Sequence, residues 1–356
     1  MKKVAFLFPG PGNIPCGGLK MIGIYANYLA ANGFNVDIVY AGSLFWIKKS
    51  LYFKFTNIVR YIQRLIAGVS CRKWFPLDAR VKERFAFSLC QKHVPRADYY
   101  IASSPATAEY LNHYKIENSR KYYFIQGFEN WGGVTDEQVF ATYRYPFRKI
   151  VISNWLAELV RSQGENCEVV FNGFDFSKFG LDIPVKEKNK FQVMMLYHKM
   201  ARKDCKMGFE ALAIVKKRIP QLQVALFGTP EEPEDLPEWY SYYQSPSQDK
   251  LRFLYNTSAV FAGTSQIEGW GLTVGEAMLC GSAVACTDNK GYLEMAHHEK
   301  TALVSPVGDS AALAENIIKL IENDSLRYDI ATSGYENIQL FSQGESCRKF
   351  LECFEK

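Results

Sequence analysis

The sequence predicts an α/β protein made of two halves, each built on a parallel sheet, and three observations carry the prediction. Each half opens on a short apolar strand followed by a helix and a second strand. A polar stretch, 180–189, with Pro184 and alternating charge, reads as the linker between them. Charge is also divided: residues 1–180 hold 23 basic against 13 acidic residues, a balance of +10, while 181–356 hold 19 against 24, a balance of −5. At 356 residues the chain is long for one core and comfortable for two domains.

The elements follow in order. Val4–Phe8 is a continuous apolar run, as buried parallel strands are, and it ends at Pro9-Gly10. Leu19–Ala31 has helical spacing and stops at Asn32-Gly33. Val36–Tyr40 completes a β-α-β unit, which implies right-handed crossovers. Further strands are expected at Tyr99–Ala102, Tyr122–Gln126, Ile150–Ser153 and Glu168–Phe171, the last closed by Asn172-Gly173. The second half restarts with a strand at Gln192–Tyr197 and an amphipathic helix, Lys206–Arg218, ended by Pro220. Gln223–Phe227, Ala259–Gly263, Ser282–Thr287 and Ala302–Ser305 read as strands, Pro230–Trp239 as a loop, with helices after Thr273, Gly291 and Ser310. The expectation is two Rossmann-like domains, 1–180 and 190–340, with parallel sheets facing an interdomain cleft. Residues 341–356 are expected to form a C-terminal helix packing back on the first domain.

Composition narrows the class. Apolar residues make up 48% and charged residues 22%, which fits a globular protein and not a disordered one. Nine cysteines stand singly, with no C-x-x-C pair and no histidines at zinc-ligand spacing. They read as buried small hydrophobes in a reducing compartment, and no metal site is expected. The opening MKKVAFLFPGPG has an apolar run of five residues, too short for a secretory signal, and no uncharged stretch of about 18 residues is present to span a membrane. The expected location is the cytoplasm, with a peripheral position on the inner face of the plasma membrane as an extension.

That extension rests on residues 43–96, which break the strand–helix pattern. Lys48, Lys49, Lys54, Arg60, Arg64, Arg72 and Lys73 alternate there with Phe45, Trp46, Tyr52, Phe53, Phe55, Tyr61, Trp74 and Phe75. Leu51, Phe55, Ile58, Ile62 and Leu65 recur at helical spacing. Basic and aromatic residues together suit an anionic membrane surface. The alternative is a helix packed on its own domain with a solvated basic face. No nucleic-acid motif accompanies the charge, and no nucleic-acid partner is expected.

Two glycine-containing turns carry the chemistry. Pro9-Gly-Pro-Gly-Asn-Ile-Pro-Cys-Gly-Gly18 links the first strand to the first helix. It fits neither G-x-G-x-x-G nor the P-loop, which weighs against a NAD enzyme and an NTPase. Gly17 and Gly18 still offer backbone N–H groups at a helix N-terminus, where a phosphate binds well; a tight structural turn is the alternative. Glu268-Gly-Trp-Gly-Leu-Thr-Val-Gly-Glu276 places two carboxylates about a turn that leads from a strand into a helix. The glycines allow close backbone approach and the helix directs its positive end at the turn. A diphosphate with hydroxyls at both ends, a nucleotide sugar, suits this arrangement. The competing reading is a capping box, Thr273-Val-Gly-Glu276, with Glu268 an ordinary loop acid.

Taken together these segments resemble the family 4 retaining glycosyltransferases (glycosyl transferase group 1), which have the GT-B fold. The resemblance rests on Gly17-Gly18, Tyr122-Tyr-Phe-Ile-Gln-Gly-Phe-Glu129, Val151-Ile-Ser-Asn-Trp155 and Asn172-Gly-Phe-Asp175. In the second half it rests on Tyr197-His-Lys-Met-Ala-Arg-Lys203, the glutamate pair and Asp288-Asn-Lys-Gly-Tyr-Leu-Glu294. It implies that Glu276 holds the donor ribose, that Glu268 lies near the transferred sugar and that Lys203 neutralises the departing diphosphate. Backbone N–H groups of Gly269, Trp270, Gly271 and Leu272 would contact the sugar and β-phosphate, with Thr273 close by. The family usually has an arginine about five positions before its lysine. Here His198 and Lys199 occupy that neighbourhood, so Lys199 and Arg202 are both candidates for the second phosphate cation. Family members retain anomeric configuration without a metal or cofactor, so Glu268 is not expected to be a nucleophile. For the acceptor side and its base, His93, His113 and Glu129 are candidates, Glu129 being the one assigned to acceptor binding.

The implied activity is transfer of a hexose-type unit from a nucleotide sugar to a glycan or lipid-linked acceptor in surface polysaccharide or glycoconjugate assembly. A sugar-nucleotide epimerase on the same fold would instead release free sugar or epimer with no acceptor present. A non-catalytic nucleotide-sugar binder would lose no function on replacement of Lys203.

Overall fold

A computed structural model of the chain describes residues 1–42, 44, 51–131 and 133–355. It consists of two compact units, Met1–Asn172 with Ser346–Lys356, and Gly173–Glu345.

The first unit is built on seven parallel strands: β1 (Lys3–Phe8), β2 (Asn35–Ala41), β3 (Lys82–Ala86), β4 (Tyr99–Ala102), β5 (Lys121–Ile125), β6 (Arg148–Val151) and β7 (Glu168–Val169). Their order is β3-β2-β1-β4-β5-β6-β7, so the sheet grows outward in both directions from β1 and β4. Val4, Ala5, Phe6 and Leu7 are all fully buried, which is why β1 reads as an unbroken apolar run: both of its faces are covered. The helix Gly17–Ala31 packs Leu19, Ile22, Ala26 and Leu29 inward.

Strand β3 was not expected. It lies inside residues 43–96, which are therefore not simply an insertion, because their later part completes the sheet edge. Its sequence, Lys-Glu-Arg-Phe-Ala, hides the strand because an edge position leaves charged side chains in solvent. The helix Leu51–Ala67 precedes it, and Tyr61 stacks on Phe85 at 5.0 Å. Phe45, Trp46, Lys48 and Lys49 lie outside the described residues, as do the side chains of 51–57.

The chain end also belongs to this unit. Phe350, on the helix Gln343–Glu352, stacks on Tyr25 at 4.0 Å and meets Phe124 edge-on at 5.4 Å. Phe354 lies 4.6 Å from Tyr122, and Tyr25 bonds the Ser346 hydroxyl at 2.7 Å.

The second unit repeats the plan with β8 (Asn189–Leu196), β9 (Gln223–Gly228), β10 (Tyr240–Gln244), β11 (Ser258–Gly263), β12 (Ala283–Thr287) and β13 (Leu303–Ser305). The order is β10-β9-β8-β11-β12-β13, again parallel throughout. Val193 and Met195 of β8 join Leu212, Val215, Ile317 and Ile321 from the covering helices in one apolar core. Strand β10, Tyr-Ser-Tyr-Tyr-Gln, is another edge strand that the sequence reading passed over. After Gly291 there is only a short 3-10 turn, Tyr292–Glu294, in place of the helix expected.

The division at Asn172/Gly173 precedes the stretch 180–189 read as a linker. That stretch is docked on the helix Gln248–Thr257. Asn256 Oδ1 accepts the N–H groups of Asp182 (2.7 Å) and Ile183 (3.2 Å), and Lys188 Nζ donates to the Asn256 carbonyl at 2.5 Å. Burial pulls the Lys188 ammonium down to about 8. Among the described residues no helix is long and apolar enough to cross a membrane.

Candidate functional site

In the second sheet β8 and β11 are neighbours, yet the chain continues to β9 on one side and to β12 on the other. The loops after their carboxyl ends, 197–204 and 264–271, therefore diverge from one crevice, the usual binding position in open α/β sheets. Here the two loops are stitched together. Thr264 Oγ1 donates to the Lys203 carbonyl at 2.7 Å, Gln266 N to the Arg202 carbonyl at 2.8 Å, and Gln266 Nε2 to Asp204 Oδ2 at 2.9 Å. Asp204 turns the chain with φ +44° and caps the helix Cys205–Arg218. Aspartate tolerates that left-handed backbone better than most residues because its short side chain bonds locally.

This stitching brings Lys203 and Glu268 into an ion pair between Nζ and Oε1. Both side chains are mostly buried, 17% and 15% exposed, so one edge of the pair still meets solvent. Ser265 Oγ donates to the same carboxylate oxygen at 2.8 Å, and Tyr292 OH donates to Ser265 Oγ at 3.1 Å. Burial, and then the charge of Glu268, push the Tyr292 phenol well above its ordinary range, so it remains a donor. Behind it the Ser265 carbonyl accepts from Thr287 Oγ1 (2.6 Å) and Asn289 Nδ2 (3.0 Å). The Asp288–Glu294 segment thus acts as the frame on which Glu268 is held.

Two glycines are fixed by close approach. Gly271 has φ +107°, and a Cβ there would sit 2.5 Å from the Tyr292 ring. At Gly291 a Cβ would sit 2.4 Å from the Glu268 carbonyl oxygen. Gly271 is the N-cap of the helix Leu272–Leu279, and no side chain caps that end. Thr273 lies inside the helix, so the capping box considered from sequence is not formed. Val274 N–H bonds the Gly271 carbonyl at 3.1 Å, so among the described residues the Leu272 and Thr273 N–H groups are the first-turn donors that an anion there would meet. Glu276, further along the same helix, is 6% exposed and accepts from Tyr255 OH at 3.2 Å. Burial, followed by the Glu276 charge, holds the Tyr255 phenol protonated.

The remaining second-unit residues have distinct settings. Trp270 is buried, its ring edge-on to Phe341 at 5.2 Å. His198 Nδ1 accepts from Met200 N at 3.0 Å. Burial, with help from Lys203 and Arg202, lowers its pKa, so the neutral ring carries its proton on Nε2. Lys199 is exposed and Arg202 half-buried.

The other candidates lie in the first unit. Gly17 and Gly18 begin the helix Gly17–Ala31, whose N-cap, Cys16, makes no side-chain cap bond. A Cβ at Gly18 would lie 3.4 Å from Gln126 Nε2, a neighbour the sequence reading did not single out. Glu129 is half-buried; after burial its charge is the second cause raising the Tyr143 phenol. His93 bonds Ser88 at 2.8 Å and exposed His113 faces Glu109 at 3.3 Å, local partners that favour structural roles. Ser265, Tyr255 and Thr287 were also missed, the last two because only folding brings them beside the glutamates. Asp204, immediately ahead of an apolar helical run, carried a readable capping signal.

Two parallel α/β units, the second with a lysine–glutamate pair and an uncapped helix N-terminus at its strand-order reversal, define the class as GT-B. Residues 181–337 match the family described as Glycosyl transferases group 1. The chain is 32% identical over 108 residues to probable sucrose-phosphate synthase 3 of Arabidopsis thaliana, a match covering 30% of this chain and 10% of that protein. It thus spans about a tenth of the length of the curated relatives it matches. Among solved structures it is similar to sucrose-phosphate synthase of Thermosynechococcus elongatus, with a TM-score of 0.72, 15% identity and coverage of 100% and 98% of the two chains. Anabaena HepE in complex with UDP-glucose gives a TM-score of 0.73 at 17% identity, with both chains covered completely.

Proposed function

We propose that the chain is a retaining glycosyltransferase that moves a sugar from a nucleotide-diphosphate sugar to a glycan or lipid-linked acceptor in surface polysaccharide or glycoconjugate assembly. The observation that carries this reading is the Lys203–Glu268 pair beside the uncapped N-terminus of Leu272–Leu279. Breaking a sugar–phosphate bond builds negative charge on the departing diphosphate. A lysine has three donors, of which one serves Glu268, so the others are available to phosphate oxygens. Lys203 and the helix end then stabilise charge that grows only as the bond breaks, with no metal assigned to the step. Glu268, engaged by Lys203 and Ser265, is a positioning carboxylate in this scheme and not a nucleophile. Glu276, steadied by Tyr255, takes the ribose hydroxyls, and the His198 Nε2–H is a neutral donor near the leaving group. Glu129 and the Gly17–Gly18 helix start serve the acceptor side and the donor phosphates respectively.

A peripheral position on an anionic membrane is part of the proposal. The helix Leu51–Ala67 supports it by exposing Ile58, Ile62, Leu65 and Ile66 along one face, Ile66 at 81%.

The test is a binding screen of UDP-, GDP- and dTDP-sugars by thermal shift and calorimetry. One donor is expected to bind, and Glu276→Ala is expected to weaken it by about 1.5–3 kcal/mol, the usual worth of hydrogen bonds to a charged group. No donor binding, or equal binding by the variant, would reject the assignment.

A further inference from the structure

One cavity of the first unit has no part in the scheme above. It encloses about 200 Å³ between the loop after β1 and the helix Leu51–Ala67, and Pro11, Asn13, Arg60, Gln63 and Arg64 line it. That volume is below the roughly 300–1,000 Å³ of pockets that enclose drug-sized ligands. At about 30 Å³ per water it suits a small polar group instead.

Its chemistry is one-sided. Two guanidinium groups line it and no carboxylate does. Arg60 is exposed and makes no ion pair among the described residues. Arg64 is anchored by Nη1, which donates to the carbonyls of Ala41 (3.0 Å) and Gly42 (3.3 Å) at the end of β2. Burial, and then the Arg60 charge, lower the Arg64 pKa, as two like charges held close together do. Glu83 is occupied elsewhere, by Tyr40 (2.7 Å), Ser70 (2.6 Å) and the Cys71 N–H (2.7 Å). The facing wall is fixed: Trp74 Nε1 donates to the Gly12 carbonyl at 2.8 Å, and Gly12, at φ +77°, lies against the Tyr40 ring. Asn13 Oδ1, beside it, is buried and accepts no hydrogen bond among the described residues.

We propose that this cavity binds a polyol phosphate: Arg60 and Arg64 hold the phosphate, Gln63 donates to it, and Asn13 Oδ1 accepts from a neighbouring hydroxyl. Paired guanidinium groups match phosphate oxygens in a way single ammonium groups do not. The cavity opens beside the carboxyl ends of β1 and β2, where an acceptor would enter. That the phosphate belongs to the acceptor rests on the transferase reading; the binding does not. A soluble glycerol phosphate or sugar phosphate and a phospholipid headgroup share this chemistry.

The experiment uses the full chain and two probes, sn-glycerol 3-phosphate by calorimetry and vesicles of phosphatidylcholine with 30% phosphatidylglycerol by sedimentation. Arg60→Gln is the test variant, because its exposed side chain is not needed for folding, and Lys92→Gln is the control. At least one probe is expected to bind, with Arg60→Gln at least tenfold weaker, Lys92→Gln unchanged, and inorganic phosphate a weaker competitor than glycerol phosphate. Asn13→Ala is expected to erase the preference for glycerol phosphate over inorganic phosphate. Binding to the soluble probe alone identifies a free phosphate as the source; binding to vesicles alone identifies a headgroup. Equal binding by wild type and Arg60→Gln, or no binding of either probe, overturns the proposal. Nucleotide-sugar binding is measured in parallel: its loss with phosphate binding intact would sink the transferase reading and leave this site standing.

Discussion

Replacing Lys203 by alanine tests the leaving-group scheme most directly. The side chain is 17% exposed, so the setting is intermediate between water and a dry interior. At an effective dielectric of about 20, a unit charge 4 Å away is worth about 4 kcal/mol. If roughly half a charge develops on the diphosphate, losing Lys203 costs about 2 kcal/mol by that rule. Loss of a directed donor to a developing anion costs about 10²–10³ in kcat by analogy with oxyanion holes. The structure adds a second effect, because Glu268 keeps its charge when its partner is gone. At about 6 Å from the phosphate it opposes the same half charge by about 1.4 kcal/mol, a factor of ten. The expected pattern is therefore non-additive. Lys203→Ala loses about 100- to 1,000-fold in kcat with a smaller change in KM, and Lys203→Ala/Glu268→Gln regains about tenfold over the single variant. Initial rates of sugar transfer and of nucleotide diphosphate release, with the donor found by the binding screen, provide the readout. Wild-type rates for Lys203→Ala, or a double variant slower than Lys203→Ala, would refute the reasoning.

Four further outcomes follow from the geometry. Gly271→Ala combines about 1–2 kcal/mol of left-handed backbone strain with about 1–3 kcal/mol of overpacking against Tyr292, so denaturant unfolding and nucleotide titration should both show a loss. Gly33→Ala, at φ +84° with nothing within 4 Å of its Cβ, should show only the strain and bind nucleotide normally. Because the His198 pKa is lowered on folding, the unfolded chain binds more protons below about pH 6.5, and stability should fall as pH falls through that point. His198→Gln should flatten the slope, as followed by thermal melts across pH; an unchanged slope would count against a neutral, half-buried ring. Phe350→Ala empties the aromatic stack on Tyr25 and should cost about 3–5 kcal/mol in chemical denaturation, while leaving nucleotide binding by the second unit intact.

The readable parts of the site were those set by local backbone chemistry. The glycine spacing in Glu268–Glu276 specified a turn into a helix, because only glycine takes φ +107° at the cap without strain. Lys203 was singled out only through the resemblance of Tyr197-His-Lys-Met-Ala-Arg-Lys203 to the family's sequences. The edge strands β3 and β10 were not readable, since one exposed edge and mixed faces remove the apolar run that marked β1 and β8. Nor was the docking of 180–189, because its polar residues find partners on a helix some 70 positions later, such as Asp182 with Asn256 at a separation of 74. The capping box failed for a related reason: Thr273 and Glu276 have the right spacing, but Gly271 had already begun the helix.

By itself, the order of residues determined the alternation of strands and helices, the two-unit plan and the positions of the glycine turns. These depend on hydrophobic period and backbone freedom, which act over a few residues. The tertiary structure alone decided that Lys203 and Glu268 meet, that Ser265 and Tyr292 hold the carboxylate, and that Arg60 and Arg64 share a cavity with Asn13. Apart from that of Ser265 with Glu268, those contacts join segments that are distant in the chain and adjacent because parallel strands place their carboxyl ends on one edge.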